Sequence, residues 1–308
     1  MRGRDASLFM SVSLLVPCFN ASAYLADLNE SIRAQQVPFD EVLCYDDGSS
    51  DDTLAVAQNL GLPFVAGGIN RGVAHARNEL AHRATGEWLH FQDADDPLLP
   101  EFLADMRPLL SPDIDVAVCD TDWVHADTRT RVIAWRYPSD PLRTDPLVAN
   151  LRQGIGCNTM IVRRSSFLAI GGFDATLRIW EDADLHIRLA AAGARYCSLD
   201  AVAAISLRRT QSLSHDYRAS WGFRLSALER YATTLPARVR PELAAQAEQA
   251  AAALCHHRDF PGARRALALN HSLGGRAPTS HHPVIRALRR LAGPWTALRV
   301  QQLLRSVR

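Results

Sequence analysis

Three short acidic clusters carry the chemistry legible in this sequence: Asp46-Asp47-Gly48-Ser49, Asp93-Ala94-Asp95 and Glu181-Asp182. Two carboxylates one residue apart, as in Asp93 and Asp95, offer oxygen-only ligands. These suit Mg²⁺ or Mn²⁺, which keep coordination positions open for phosphate oxygens. Surface acids produce the same spacing, and Pro97 adds a plainer account in which Asp96 caps a helix and Pro97 opens it. Asp46 and Asp47 fit contacts to the ribose and base of a nucleotide, with Gly48 permitting close backbone approach. They equally fit an Asp-rich turn capping the next helix. Glu181 and Asp182 match the acids that a helix dipole favours in a first turn, or a general base that takes a proton from an attacking hydroxyl.

These clusters need a scaffold, and the hydrophobic pattern supplies one. Residues 11–17 read as a buried strand, 23–35 as a helix, and 41–45 as a strand running into Asp46. Ser50 or Asp51 is placed to cap a helix ending near Gly61. A strand at 63–66, a helix at 72–84, a strand at 88–92, a helix at 98–110 and a strand at 115–119 continue the alternation. Such alternation predicts an α/β fold with a mostly parallel central sheet covered by helices on both faces. Ligands sit beyond the carboxyl ends of strands in sheets of this kind. Residues 18–20, 46–49 and 93–96 all fall at that rim.

From 121 to 215 the pattern is irregular. Hairpin strands are expected near 132–135 and 160–162, a helix at 181–192 closed by Gly193, and a last strand at 202–207. Residues 218–270 have helical spacing with separators at Pro236 and Pro241. A linker at 274–283 leads to a basic helical segment, 284–308, broken at Gly293-Pro294.

Composition narrows the classes. The chain has 308 residues, 47% of them hydrophobic, which is ample for a core. All 34 basic residues are Arg, so a lysine Schiff base, a P-loop lysine and a kinase-type lysine are excluded. Neither GxGxxG nor GxxxxGK[ST] occurs. The net charge of +1 hides a split: residues 1–215 hold 19 Arg and 28 acids, residues 216–308 hold 15 Arg and 5 acids. Two parts, 1–215 and a basic helical 216–308, are expected. The six cysteines have no metal-ligand or CxxC spacing, which fits a reducing, cytoplasmic setting. The apolar stretch near the N-terminus is short and interrupted by polar residues, so it reads as a first strand rather than a signal peptide, and no membrane span is expected.

Six segments occur in one order: Val16-Pro17-Cys18-Phe19-Asn20, the acidic run 46–53, Asn70-Arg71-Gly72 through Asn78, Phe91-Gln92-Asp93-Ala94-Asp95-Asp96, Gly171-Gly172-Phe173-Asp174, and Glu181-Asp182-Ala183-Asp184-Leu185. Together they resemble the family 2 glycosyltransferases, inverting enzymes of GT-A fold, over about residues 11–215. The resemblance implies a nucleotide-sugar donor and roles for matching positions. Pro17, Phe19 and Asn20 line the base pocket; Asp46 or Asp47 holds base or ribose beside Gly48; Arg71 and Arg77 lie near base and diphosphate. Asp93 and Asp95 form the motif for Mn²⁺ or Mg²⁺, Asp182 is the catalytic base and Glu181 faces the acceptor. Arg188 supports that helix or its carboxylates. Cys18, Phe19 and Gln92 depart from the commoner family residues without disabling the chemistry.

His215 stands as a candidate third metal or diphosphate contact, and Trp180 as either a stacking platform for an acceptor or a packing residue. The acceptor implied is a glycan, lipid-linked or other hydroxyl compound, in surface polysaccharide or glycoconjugate synthesis. The tail at 284–308, apolar with only cationic charges, fits either peripheral contact with an anionic membrane at its inner face or a packed helix with a solvated Arg face. Nucleic acid is not an expected partner, for want of aromatic platforms and a recognition motif. The rivals are a nucleotidyltransferase-like enzyme, which wants a basic Gly-rich first loop that this chain lacks, and a non-catalytic nucleotide-sugar-binding protein on the same fold.

Overall fold

The computed structural model describes residues 10–209, 216–280 and 282–306, and the chain divides between residues 210 and 211 into two compact units. In the first unit the strand Val12–Cys18 (β1) is buried at all seven positions. A helix Leu25–Arg33 (α1) follows, burying Leu25 and Leu28. The strand Glu41–Asp46 (β2) leads to the helix Thr53–Leu60 (α2), which ends at Gly61 with φ 69°, the left-handed conformation that glycine adopts at low cost. Strand Phe64–Ala66 (β3), helix Val73–Arg83 (α3) and strand Trp88–Phe91 (β4) complete the parallel half.

Residues 98–110 do not form the single helix expected from their spacing. Only Phe102–Met106 (α4) is α-helical, followed by a tight 3₁₀ turn at Arg107–Leu109. The cause is local: Pro100 disfavours helical geometry at Leu99, and Leu98 bridges to Ala204 instead. Asp96 therefore caps no helix.

The long strand Val116–His125 (β5) and strand Arg131–Trp135 (β6) form an antiparallel pair. Helices Ser139–Thr144 (α5) and Pro146–Arg152 (α6) precede strand Met160–Arg163 (β7) and helix Arg164–Ala169 (α7). Asp145 caps α6 by accepting the Val148 amide, and Pro146 occupies the first turn, where its missing N–H is harmless. Helix Glu181–Ala191 (α8) has Glu181, Asp182 and Asp184 in its first turn and Arg188 in its last, the charge order a helix dipole favours. Gly193 follows it at φ 89°. Strand Tyr196–Arg208 (β8) closes the unit.

The eight strands form one sheet in the order β3-β2-β1-β4-β7-β5-β6, with β8 on β5. β1 to β4 run parallel, β7 lies antiparallel between β4 and β5, and β8 runs parallel to β5. Two antiparallel steps restore direction, so β1, β2, β4, β5 and β8 all end at one rim, and β7 begins there. The core beneath it is built from Val12, Leu14, Val16, Trp88, Phe102 and Leu103, each essentially inaccessible. Burial of one such side chain stabilises by about 1.5–3 kcal/mol.

The second unit is helical. Tyr217–Thr234 (α9), Arg240–His256 (α10) and Phe260–Ser272 (α11) pack together, and Asp216 and Asp259 cap α9 and α11 through the amides of Ala219 and Gly262. Pro241 does not separate helices as expected; it lies in the first turn of α10, so the break is confined to Leu235–Val239. The last helix, Pro283–Ser306 (α12), is interrupted at Gly293, whose φ of 84° and ψ of 167° are non-helical, directly before Pro294.

Candidate active site

The rim of the first unit gathers all three acidic clusters. β1 delivers Phe19, which is 50% exposed, and Asn20, held at φ 50°. Asn20 is ordered by the neighbouring loop: its amide donates to Ser49 Oγ at 2.9 Å and its Oδ1 accepts from the Ser50 amide at 2.9 Å. Pro17 lies one turn of the pleat deeper, buried in β1 opposite Tyr45. An exposed aromatic face beside a fixed amide fits a base-binding ledge.

Asp46 and Asp47, equivalent by sequence, have separate surroundings. Both oxygens of Asp47 accept from backbone, the Arg71 amide at 3.0 and 3.1 Å and the Gly72 amide at 2.7 Å. Among the described residues the Asp46 carboxylate accepts only the Ser49 amide, at 3.2 and 3.4 Å, and so keeps more capacity for a further donor. Gly48 sits between loops with φ 75°, and a Cβ there would lie 2.6 Å from the Ile69 carbonyl carbon. Asp51 does contribute at the start of α2, accepting the Thr53 amide at 3.0 Å. Burial works against its charge, but hydrogen bonds from Thr53 and Ser22 hold its carboxyl at about 2.

Arg71 is exposed at the mouth, whereas Arg77 is buried behind it. From α3, Arg77 donates Nη2 to Asp93 Oδ1 at 2.6 Å and Nη1 to Glu181 Oε1 at 2.7 Å. Its guanidinium also covers the Phe173 ring at 5.4 Å. One residue on, Asn78 mimics a backbone strand: Nδ2 donates to the Phe173 carbonyl at 2.9 Å and Oδ1 accepts the Phe173 amide at 2.8 Å. α3 thus fastens the Gly171–Asp174 turn, the DxD turn and the start of α8 to one another.

Asp93 and Asp95 follow β4, with side chains 40% and 43% exposed. Asp95 has its pKa raised, by burial first and by Asp93 second, with Arg209 acting against both. Arg209, just beyond β8, donates Nη1 to Asp95 Oδ2 at 2.7 Å and Nη2 to the Asp95 carbonyl at 2.6 Å. Among the described residues no three His, Cys, Asp or Glu side chains gather into a metal cage. Two accessible carboxylates that repel each other nevertheless fit a hard divalent ion, since Mg²⁺ is usually held by one or two carboxylates with substrate phosphates and water. His215 lies outside the described residues.

Asp96 has a structural task. Its Oδ1 accepts the Leu207 amide at 2.7 Å, joining the DxD turn to β8, and Gln92 Nε2 donates to the Asp96 carbonyl at 2.9 Å. Burial, then the charge of Asp93, raises the pKa of Asp96 well above the carboxylate range.

Glu181 and Asp182 open α8 after Trp180, a bulky residue held at φ 76°. Backbone in this region is unfavourable for such a side chain and persists only where its surroundings enforce it. Asp182 Oδ1 accepts the Ala183 amide at 2.7 Å. Burial first, and Glu181 second, push the Asp182 carboxyl up to about 7, with Arg77 pulling the other way. Beneath it runs a glycine loop: a Cβ on Gly154 would lie 2.9 Å from that of Ala183, and one on Gly156 would lie 4.0 Å from Asp182 Oδ2. Tyr137 supports this loop by donating its hydroxyl to the Gly154 carbonyl at 3.2 Å, and Asp120 accepts the Tyr137 amide at 2.7 Å. Burial and the nearby Asp182 raise the Tyr137 phenol, so it stays protonated. Arg188 pairs with Asp184 at 2.6 Å and braces α8. A carboxyl poised near neutrality, at a helix start and opposite a pair of accessible carboxylates, is equipped to take a proton from a hydroxyl.

Comparison with known proteins bears on the family and the fold. Residues 13–171, just over half of the chain, match the model for glycosyl transferase family 2. An uncharacterized glycosyltransferase of Haemophilus influenzae is 27% identical over 186 residues, covering 58% of this chain and 61% of that protein. A PGL/p-HBAD biosynthesis glycosyltransferase of Mycobacterium bovis is 28% identical over 189 residues, covering 57% and 68%. The chain spans from 40% to 61% of the length of the first three curated relatives it matches. Among solved structures, the mannosyltransferase PcManGT of Pyrobaculum calidifontis in complex with GDP-Man and Mn²⁺ aligns over 95% of this chain and 84% of its own, with TM-score 0.59 at 20% identity. S. aureus TarS 1–349 in complex with UDP-GlcNAc aligns over 89% and 95%, with TM-score 0.60 at 16% identity. These likenesses are to GT-A glycosyltransferases.

Proposed function

The chain belongs to glycosyl transferase family 2, and from that premise we propose that it is an inverting, metal-assisted transferase of a sugar from a nucleoside diphosphate, a UDP-sugar first, to an acceptor hydroxyl. The observation that carries the reading is the Asp182 carboxyl, held near 7 at the start of α8 in a framework that Arg77 shares with Asp93. TarS binds UDP-GlcNAc and PcManGT binds GDP-Man with Mn²⁺, which supports a nucleotide-sugar donor here.

Phe19 stacks the base, with Pro17 and Asn20 beside it, and Asp46 takes a base or ribose donor, because Asp47 is committed to the Arg71 and Gly72 amides. Gly48 keeps that loop close to the ligand, and Arg71 faces the diphosphate. Asp93 and Asp95 hold Mn²⁺ or Mg²⁺, which when bound offsets the charge growing on the leaving diphosphate. Asp182 removes the acceptor proton as its oxygen attacks the anomeric carbon, and Glu181, fixed by Arg77, orients that acceptor. A single displacement inverts the anomeric centre.

Residues 1–215 form the catalytic part and 216–308 a helical extension that seats the enzyme peripherally at the inner face of a membrane, where lipid-linked or glycan acceptors are built into surface polysaccharide or glycoconjugate. Among the described residues no helix is long and apolar enough to cross a membrane. Thermal melting with UDP-, GDP- and dTDP-sugars in the presence of Mn²⁺ identifies the donor by the largest stabilisation. NMR of the first-formed product then reads the anomeric configuration: retention overturns the inverting mechanism.

A further inference from the structure

The two carboxylates of the Asp93–Asp95 pair each carry an arginine, and the two arginines are held very differently. Arg77 is anchored in a helix interior, 5% exposed, and spans Asp93 and Glu181, so its departure would strand two carboxylates. Arg209 reaches Asp95 from the end of β8, is 23% exposed, and rests its guanidinium 4.7 Å from the Tyr24 ring. The strand end itself is secured independently, by Leu207 on Asp96 and by Asn158 Nδ2 on Ser206 Oγ at 2.8 Å. The Arg209 side chain is therefore free to leave Asp95 without unravelling β8.

We propose that Arg209 is a resident counter-cation of Asp95, displaced when a divalent ion binds the Asp93–Asp95 pair. The inference rests on the reading of that pair as the metal site. Without a cation, Asp95 faces Asp93 across a single residue in partly buried surroundings, and Arg209 supplies the missing positive charge at both its carboxylate and its carbonyl. A dication placed on Asp95 repels that guanidinium, and of the two arginines only Arg209 can yield at low cost. The ion pair then acts as a competitor that sets the metal affinity of the empty enzyme, keeping Asp95 ordered while lowering its occupancy.

Mn²⁺ dissociation constants measured on the full chain by EPR of the free ion test this, with a melting curve for each variant to report folding. Arg209→Gln removes the competitor and is expected to bind Mn²⁺ up to about fivefold more tightly, the upper end for releasing a partly exposed ion pair. Arg209→Lys, which keeps the charge, is expected to stay close to wild type. Unchanged or weaker binding by folded Arg209→Gln overturns the counter-cation role, as does equal tightening in Arg209→Lys. Asp95→Asn separates the two layers: it is expected to lose Mn²⁺ binding, and wild-type affinity there overturns the underlying metal-site reading instead.

Discussion

The Arg77 guanidinium lies 2.7 Å from Glu181, an ion pair closed between residues 104 positions apart in the chain. The same guanidinium reaches Asp93 at 2.6 Å, so one buried cation couples the DxD turn to the first turn of α8. Burial opposes the charge on Arg77, yet Cys157, Asp93 and Glu181 around it raise its pKa further, and it stays ionised. The relationship explains why two acidic clusters that would repel each other share one rim.

Removing that cation has two consequences. Arg77→Met leaves Asp93 and Glu181 without their partner, and breaking a buried pair in this way costs about 3–5 kcal/mol. Because Arg77 lowers the Asp182 pKa, its loss moves the acid limb of the pH–rate profile to higher pH. Arg77→Lys keeps the charge without the two-pronged geometry and is expected to fall between. Urea denaturation checks the first consequence and kcat/KM against pH the second; an unmoved acid limb in a folded variant contradicts the coupling.

Asp182 gives a prediction with opposite signs for activity and stability. Asp182→Asn is expected to lower transfer by at least about 10²–10⁴-fold, the usual worth of a general base, while metal-dependent nucleotide binding persists. The groups facing Asp182 are Glu181, Asp93, Arg77, Tyr137 and Cys157, and burial with Glu181 sets its value of about 7 against an ordinary 3.8. A raised folded pKa means stability that is full below about 4 and lost as pH rises through 7. Asp182→Asn is therefore expected to melt above wild type at pH 8, with the gap closing toward pH 4. Differential scanning calorimetry at both pH values checks the sign.

Much of this site was legible in the sequence because it is written in short stretches. The strand ends at Asp46 and Phe91, the Gly61 and Gly193 terminations and the break at Gly293-Pro294 follow from local backbone chemistry. What escaped is what depends on partners far away in the chain. Nothing local to Arg77 signals its ion pairs to Asp93 and Glu181; Asn78, inside a segment singled out for its resemblance, gave no sign of its hold on Phe173. Asp96 looked like a cap because Pro97 follows it, whereas a β8 amide claims it from 111 residues on. Tyr137, Asp120 and Arg209 carry no local pattern at all. Likewise the antiparallel insertion of β7 between β4 and β5 is a matter of pairing, not of periodicity.

Gly48 is constrained twice, and the two constraints are separable. A Cβ would strain the backbone at φ 75° and collide with the Ile69 carbonyl carbon at 2.6 Å, while Gly61, at φ 69°, has open space around it. Gly61→Ala is thus expected to cost about 1 kcal/mol from conformation alone. Gly48→Ala adds a shift of the 69–70 backbone, loosening the Asp47 contacts to Arg71 and Gly72, and is expected to weaken nucleotide binding as well as stability. Isothermal titration with the donor nucleotide distinguishes them: Gly61→Ala binds as wild type, Gly48→Ala binds more weakly.

The helix Pro283–Ser306 presents a surface that its own unit does not use. Ile285, Ala297 and Leu298 are buried, whereas Val284, Leu291, Leu303 and Leu304 are 50%, 87%, 59% and 49% exposed. Arg286 and Arg290 flank the first pair on the exposed side, and no acid follows Asp259 in the chain. Exposed leucines bordered only by cations match the interfacial region of an anionic bilayer, where each Arg near the surface adds about 1 kcal/mol and buried apolar area adds the rest. Co-sedimentation of the full chain with phosphatidylglycerol vesicles is expected to exceed that with phosphatidylcholine vesicles and to fall at high salt. Leu291→Glu, on the most exposed of these positions, is expected to reduce it without altering the melting temperature. Equal sedimentation of Leu291→Glu and wild type would remove this helix from the membrane contact and leave its arginines as a solvated face.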